Sequence, residues 1–156
     1  MPLPDMPAGD AYWKRVESVW DSIPLYDGPK PFLHKFFAAP QVERTLFAAH
    51  WCQSEVCNGG FDQFFNNSTG VLAPEAVEAF RTLGMPRTAE AIDEAVAMLG
   101  SEYPRDRAMR QAILAARSGD ELAEFNRLER EFYQRVDTER GGFVSAADAY
   151  ANLLAG

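Results

Sequence analysis

Residues 40–70 read PQVERTLFAAHWCQSEVCNGGFDQFFNNSTG, and this stretch decides the fold. Val42, Leu46, Ala49 and Val56 recur at helical spacing, and Arg44, Trp51 and Glu55 form a second stripe at i, i+7 and i+11. Pro40 suits a first helical position. The pattern predicts a helix from about Gln41 to Cys57. A helix with two apolar sides is usually central to its domain. Asn58-Gly59-Gly60 should end it, because Asn and Gly tolerate the left-handed conformation that helix ends often need. Phe61–Phe65 (FDQFF) reads as a short aromatic helical segment, and Asn66–Gly70 (NNSTG) as a turn.

The same periodicity extends outward from this centre. Residues 1–9 are rich in proline and are expected to form a flexible arm. They have no apolar run of the kind a signal peptide carries. From Asp10, Trp13, Val16 and Trp20 recur at helical spacing until Pro24. Leu25–Pro31 reads as a loop and Phe32–Phe37 as a short apolar turn. Downstream, Pro74 opens a helix with Val77, Phe80 and Leu83 facing inward and Gly84 as its stop. Pro86 and Thr88 precede another, with Ile92, Ala95, Val96 and Leu99 inward and Gly100 as its stop. Arg105–Arg117 places Met109, Ala112, Ile113 and Ala116 on one face. Ser118 and Glu121 have capping-box spacing for a helix to about Asp137, with Leu122, Phe125, Leu128, Phe132 and Val136 inward. Gly141-Gly142 breaks the chain. Ser145 and Asp148 then offer a second cap, for a last helix with Ala146, Tyr150, Leu153 and Leu154 inward. No alternating strand pattern appears. The expectation is all-α: one helical domain over residues 10–156, a bundle of about seven or eight helices.

Composition agrees. With 156 residues, 47% hydrophobic and 24% charged, the chain can form one domain with a real core. Ala occurs 23 times and Ile only three, which favours helices over sheets. No apolar run approaches the ~18 residues a membrane span needs. Two cysteines are few for a secreted domain of this size, so the cytoplasm is the expected compartment. Cys52 and Cys57, five positions apart on a helix, are about 140° apart around its axis. Two packed thiols are therefore expected rather than a disulfide.

The common enzyme signatures are missing, including the phosphate loop, the dinucleotide glycine motif, H-E-x-x-H and G-x-S-x-G. No cofactor or catalytic residue is expected. His50, Cys52, Glu55 and Cys57 invite a metal reading. His50 and Cys57, however, lie about 10 Å apart along the helix, too far for both to ligate one metal ion. The polar groups Glu55, Asn58, Asp62, Gln63, Asn66 and Asn67 alternate with Val56, Phe61, Phe64 and Phe65. They can be a hydrogen-bonded lock on the helix junction. The alternative is a pocket around Glu55, Asn58 and Asp62 that binds a small ligand or supports acid–base chemistry.

The net charge is −8 and the pI about 4.7, which argues against direct nucleic-acid binding. The excess is uneven: residues 1–29 carry a net −3 and residues 72–104 a net −4, while residues 30–71 are neutral. In the second acidic block, Glu75, Glu78, Glu90, Asp93, Glu94 and Glu102 face only Arg81 and Arg87. Such a block keeps a protein soluble. It can also be an anionic face for a basic protein partner. DNA carries one charge per ~1.7 Å of axis, and this row is sparser than that.

Residues 55–70 resemble the E-x-x-N-G-G-F-x-Q-[FY]-[FY]-x-N-S-x-G stretch of a bacterial family, a domain of unknown function named after a DNA-mimic protein. The positions carried over are Glu55, Asn58, Gly59, Gly60, Phe61, Gln63, Phe64, Asn66, Ser68 and Gly70. Leu128–Tyr133 (LEREFY) is similar to the family's late L-[DE]-x-x-F-Y element. Cys57 replaces an expected Asn, and the first ~40 residues show no match. The resemblance implies an all-α fold, a homodimer, and an acidic surface that binds the DNA-binding face of a transcriptional regulator. The motif itself is mostly uncharged, so the imitating surface must lie in acids outside it. A toxin-neutralising inhibitor would use the same surface logic.

Overall fold

The computed structural model describes residues 7–153. Among them are eight α-helices and no strand: α1 (Asp10–Trp20), α2 (Pro29–Ala38), α3 (Gln41–Asn66), α4 (Ala73–Thr82), α5 (Pro86–Ala97), α6 (Arg107–Ala115), α7 (Gly119–Thr138) and α8 (Phe143–Leu153). The expected all-α bundle is what forms. The arm expected at residues 1–9 lies, for residues 1–6, outside the described residues, as does Leu154. Its end is not loose: the Gly9 amide donates to Oδ2 of Asp148 at 2.6 Å.

The long α3 is the hub. It packs against α1, α4, α6, α7 and α8. Leu46, Ala49, Cys52 and Val56 are fully buried along it. Gly59 and Gly60 break it as expected, but the chain resumes its helix at once instead of turning away. Gly59 has φ −150° and ψ 20°, and Gly60 has φ 77° and ψ −178°, so α3 is one element with a sharp kink. Ser68–Leu72 then forms a 3-10 turn leading into α4. The α4–α5 arm ends at Leu-Gly steps, with Gly84 at φ 78° and Gly100 at φ 132°.

Several expectations need correction. Residues 29–38, read as loop and turn, are a helix, because Pro29 and Pro31 sit in its first turn, where a missing amide costs nothing. In α6 the inward face is Arg110 and Leu114, while Met109 is 57% exposed. A periodicity search assumes an apolar interior, and here the deepest side chain is an arginine. Ser145 and Asp148 do not cap α8, which begins at Phe143, and Leu153, expected to face inward, is 73% exposed. Asp148 instead accepts the amides of Gly9 and Tyr12 and caps α1 from across the bundle. In α7 the capping box between Ser118 and Glu121 forms as expected, although Leu122 is 44% exposed.

His50 lies among Tyr12, Trp13, Trp20 and Trp51, with Tyr12 Oη 3.2 Å from its Nδ1. Burial pushes its pKa down from the ordinary 6.5 to about 4. Between those values the unfolded chain binds more protons than the folded one, so stability falls as pH drops through this window. The shift corresponds to on the order of 3 kcal/mol. Urea unfolding from pH 7 to pH 4 should show His50→Gln losing less stability than the wild type. Parallel curves would refute the assignment.

Candidate functional site

The two stretches that carry the family resemblance meet at the kink. Breaking α3 at Gly59-Gly60 creates a new helix start, whose first amides have no carbonyl behind them. Glu129 of α7 fills that need: its Oε1 accepts the Phe61 amide at 2.8 Å. A Cβ on Gly60 would lie 2.3 Å from that same oxygen, and φ there is already +77°. The positive φ calls for glycine, and a Cβ there would also displace the Glu129 carboxylate from the Phe61 amide. Tyr133 donates to the carbonyl of Val56 at 2.9 Å, in the last turn before the kink. Phe132 meets Phe61 edge to face at 5.8 Å. Burial pushes the Glu129 carboxyl up, against the opposing effect of the Phe61 amide.

Across the kink lies a polar network. Glu55, 9% exposed, accepts on Oε2 from Gln63 Nε2 at 2.9 Å and from Asn67 Nδ2 at 2.8 Å. Asn58 donates to Gln63 Oε1 at 3.3 Å. Glu55, Asn58 and Gln63 are thus brought together as a mutual lock, with a shallow hollow over them lined also by Gln53, Ser54 and Cys57. Asp62 does not join it. Both its oxygens take the guanidinium of Arg117, at 2.6 and 3.1 Å. Asn66 contributes its carbonyl to Arg107 and Gln111. The side chain in the network is that of Asn67, which precedes Ser68 in the motif, and not that of Asn66. Phe61, Phe64 and Gly70 are buried, and Ser68 opens the 3-10 turn.

The thiols differ from expectation. Cys52 is packed, and burial pushes its thiol well up, but Cys57 is exposed. Among the described residues no group of three or more His, Cys, Asp or Glu is placed to hold a metal ion. None of the described helices is long and apolar enough to cross a membrane.

The six acids of residues 72–104 have different surroundings. Glu75 is drawn inward: Arg105 holds both its oxygens, at 2.6 and 3.1 Å. Glu78 and Asp93 share Arg81, at 2.5 and 3.5 Å. Glu90, Glu94 and Glu102 are exposed, and no ion pair among the described residues includes them. Elsewhere Glu139 accepts the amides of Arg87 and Thr88 and caps α5. The residues that sequence reading missed are these long-range partners: Glu129, Asp148, Glu139 and above all Arg110. A caps search confined to neighbouring residues cannot find them.

A family model described as DMP19-like protein matches residues 38–153, which covers both the kink motif and its α7 counterpart. No curated protein and no solved structure matches the chain. The chain belongs to the DMP19-like protein family, named for DNA-mimic protein 19.

Proposed function

We propose that this protein is a non-catalytic regulator that presents an anionic face to the DNA-binding surface of a basic protein partner. Membership in a family named for a DNA mimic carries the reading. The face consists of Glu90, Asp93 and Glu94 on α5, Glu78 on α4, and Glu102 just beyond α5. Glu90 and Glu94 are its centre, since their carboxylates are exposed and unpaired among the described residues. Glu75 supports the face from below by fixing Arg105. Arg81, between Glu78 and Asp93, reduces the charge density, so the surface complements a modest basic patch better than a long, densely basic DNA-binding groove. The protein acts as a homodimer and in the cytoplasm in this reading.

The immobilised protein, exposed to native-cell extract at low salt, should retain a DNA-binding protein that a salt step releases. The purified pair should weaken by about tenfold or more between roughly 50 and 200 mM salt. Duplex DNA should displace the partner, and Glu90→Gln with Glu94→Gln should abolish capture. An affinity indifferent to salt, or a ternary complex with DNA, rejects the proposal. Light scattering of the eluting protein decides the dimer.

A further inference from the structure

A hollow of about 230 Å³ opens where the start of α2 meets the 3-10 turn and the entry to α6. Arg105, Arg107 and Arg110 line it and no carboxylate does, although the chain carries a net charge of −8. The three guanidinium groups differ in what they have left to give. Arg105 is neutralised by Glu75, which takes both its terminal nitrogens. Arg110 spends its nitrogens on four backbone carbonyls and is sealed from solvent. No ion pair among the described residues includes it, so neutral oxygens alone hold its charge. Arg107 is exposed. It donates from Nε to the Asn66 carbonyl, and its terminal nitrogens have no partner among the described residues. The acids nearby are occupied: Asp106 accepts the Met109 amide, and Glu55 accepts from Gln63 and Asn67.

The hollow thus has a sealed cation without a counter-charge and one open guanidinium fork. Buried charges in proteins are normally paired, so the arrangement suits an anion. The rest of the lining is mainly apolar. Leu25 and Pro29 are half-buried, and Tyr26 is 82% exposed. An aromatic ring held in water beside a hollow offers its face to another flat ring. A cavity of about 150 Å³ holds benzene, so this one has room for a single ring with a short acid arm. A phosphate ion would use the guanidinium and leave the apolar wall wet. An uncharged ring would use the wall and leave the cations uncompensated.

We propose that this hollow binds a small aromatic carboxylate, a single ring system with a short carboxylate-bearing arm. The carboxylate accepts from the two terminal nitrogens of Arg107, in the forked geometry that arginine offers and lysine does not. Arg110 does not touch the ligand. Its charge acts through space, across an interior that screens it less than water does. The ring lies against Leu25, Pro29 and the face of Tyr26. Neither Glu90 nor Glu94 lines the hollow, so the site stands or falls independently of the partner-binding face.

Titration of the full chain with phenylacetate and indole-3-acetate, followed by calorimetry and by amide NMR shifts, tests this. At least one should bind saturably with a Kd of about 1 mM or tighter, with the largest shifts around Gly28, Ser68 and Val71. Phenylacetamide keeps the ring and loses the charge, while acetate and inorganic phosphate keep a charge and lose the ring. All three should bind more weakly by about tenfold or more. Arg107→Gln, at an exposed position, should weaken binding by about tenfold without changing the melting temperature, and Arg107→Lys should fall between it and the wild type. Tyr26→Ala should weaken binding by about fivefold. Arg130→Gln removes an exposed arginine of α7 outside the hollow and should change nothing. A Kd weaker than about 1 mM for both acids overturns the proposal. Equal binding of phenylacetamide or phosphate overturns it too, as does an Arg107→Gln effect no larger than that of Arg130→Gln.

Discussion

Arg110→Met is expected to lower the unfolding free energy by about 4 kcal/mol or more, the largest loss from any single side chain in this protein. Arg110 is fully buried. Its guanidinium donates to four backbone carbonyls: Phe65 at 2.9 Å, Asn67 at 2.9 Å, Pro104 at 3.2 Å and Arg105 at 2.7 Å. Those carbonyls belong to the end of α3 and the entry to α6, which no regular hydrogen-bond ladder joins. Methionine preserves much of the volume and removes every donor, leaving buried acceptors unsatisfied at about 1–3 kcal/mol each before relaxation. Arg110→Lys keeps a charge but has one nitrogen where the carbonyls surround a planar fork, so it should fall between the two. Urea unfolding with linear extrapolation measures all three proteins. A methionine variant as stable as the wild type would show that the clamp does not hold the junction.

Gly70→Ala should cost about 3 kcal/mol, for a reason that has nothing to do with backbone freedom. A Cβ at this position would lie 2.4 Å from the carbonyl oxygen of Phe64 and 3.1 Å from the Phe65 Cα. Both are backbone atoms of a packed helix and cannot swing aside as a flexible side chain can. The Gly70 carbonyl also accepts from Tyr103 at 2.5 Å, so a shift of the 3-10 turn would break that contact as well. Gly119→Ala is the control. A Cβ there meets nothing within 4 Å in the first turn of α7, and the change should be neutral or stabilising by up to about 1 kcal/mol. Thermal and urea unfolding of the pair measure the contrast. Equal effects at the two positions would mean that the close approach at Gly70 is relieved at little cost.

These two positions show how differently parts of the molecule could be read. Gly70 was visible as part of a motif, but its reason was not, because the atoms it must avoid belong to α3. Arg110 was hidden altogether. The spacing of Met109, Ala112, Ile113 and Ala116 gave α6 an apolar face, and the structure turns Arg110 and Leu114 inward instead. Acids were misjudged in the same way. Glu75, Asp62, Glu129, Glu139 and Asp148 all count toward the net charge, yet each is held by a guanidinium or by helix amides within the fold. Fewer carboxylates are consequently free on the surface than the composition suggests.

The sequence alone determined every helix but α2, the break at Gly59-Gly60, the inward faces of α3, α4 and α5, and the family, because helical periodicity and helix-ending residues act within a few positions of each other. The tertiary structure alone decided which charges face water, which cap distant helices and where polar groups remain unpaired. Asp148 lies 139 residues from Gly9, Glu129 lies 68 from Phe61 and Arg110 lies 45 from Phe65. A carboxylate's role depends on the amide or guanidinium that folding brings to it, and no local pattern along the chain records that meeting.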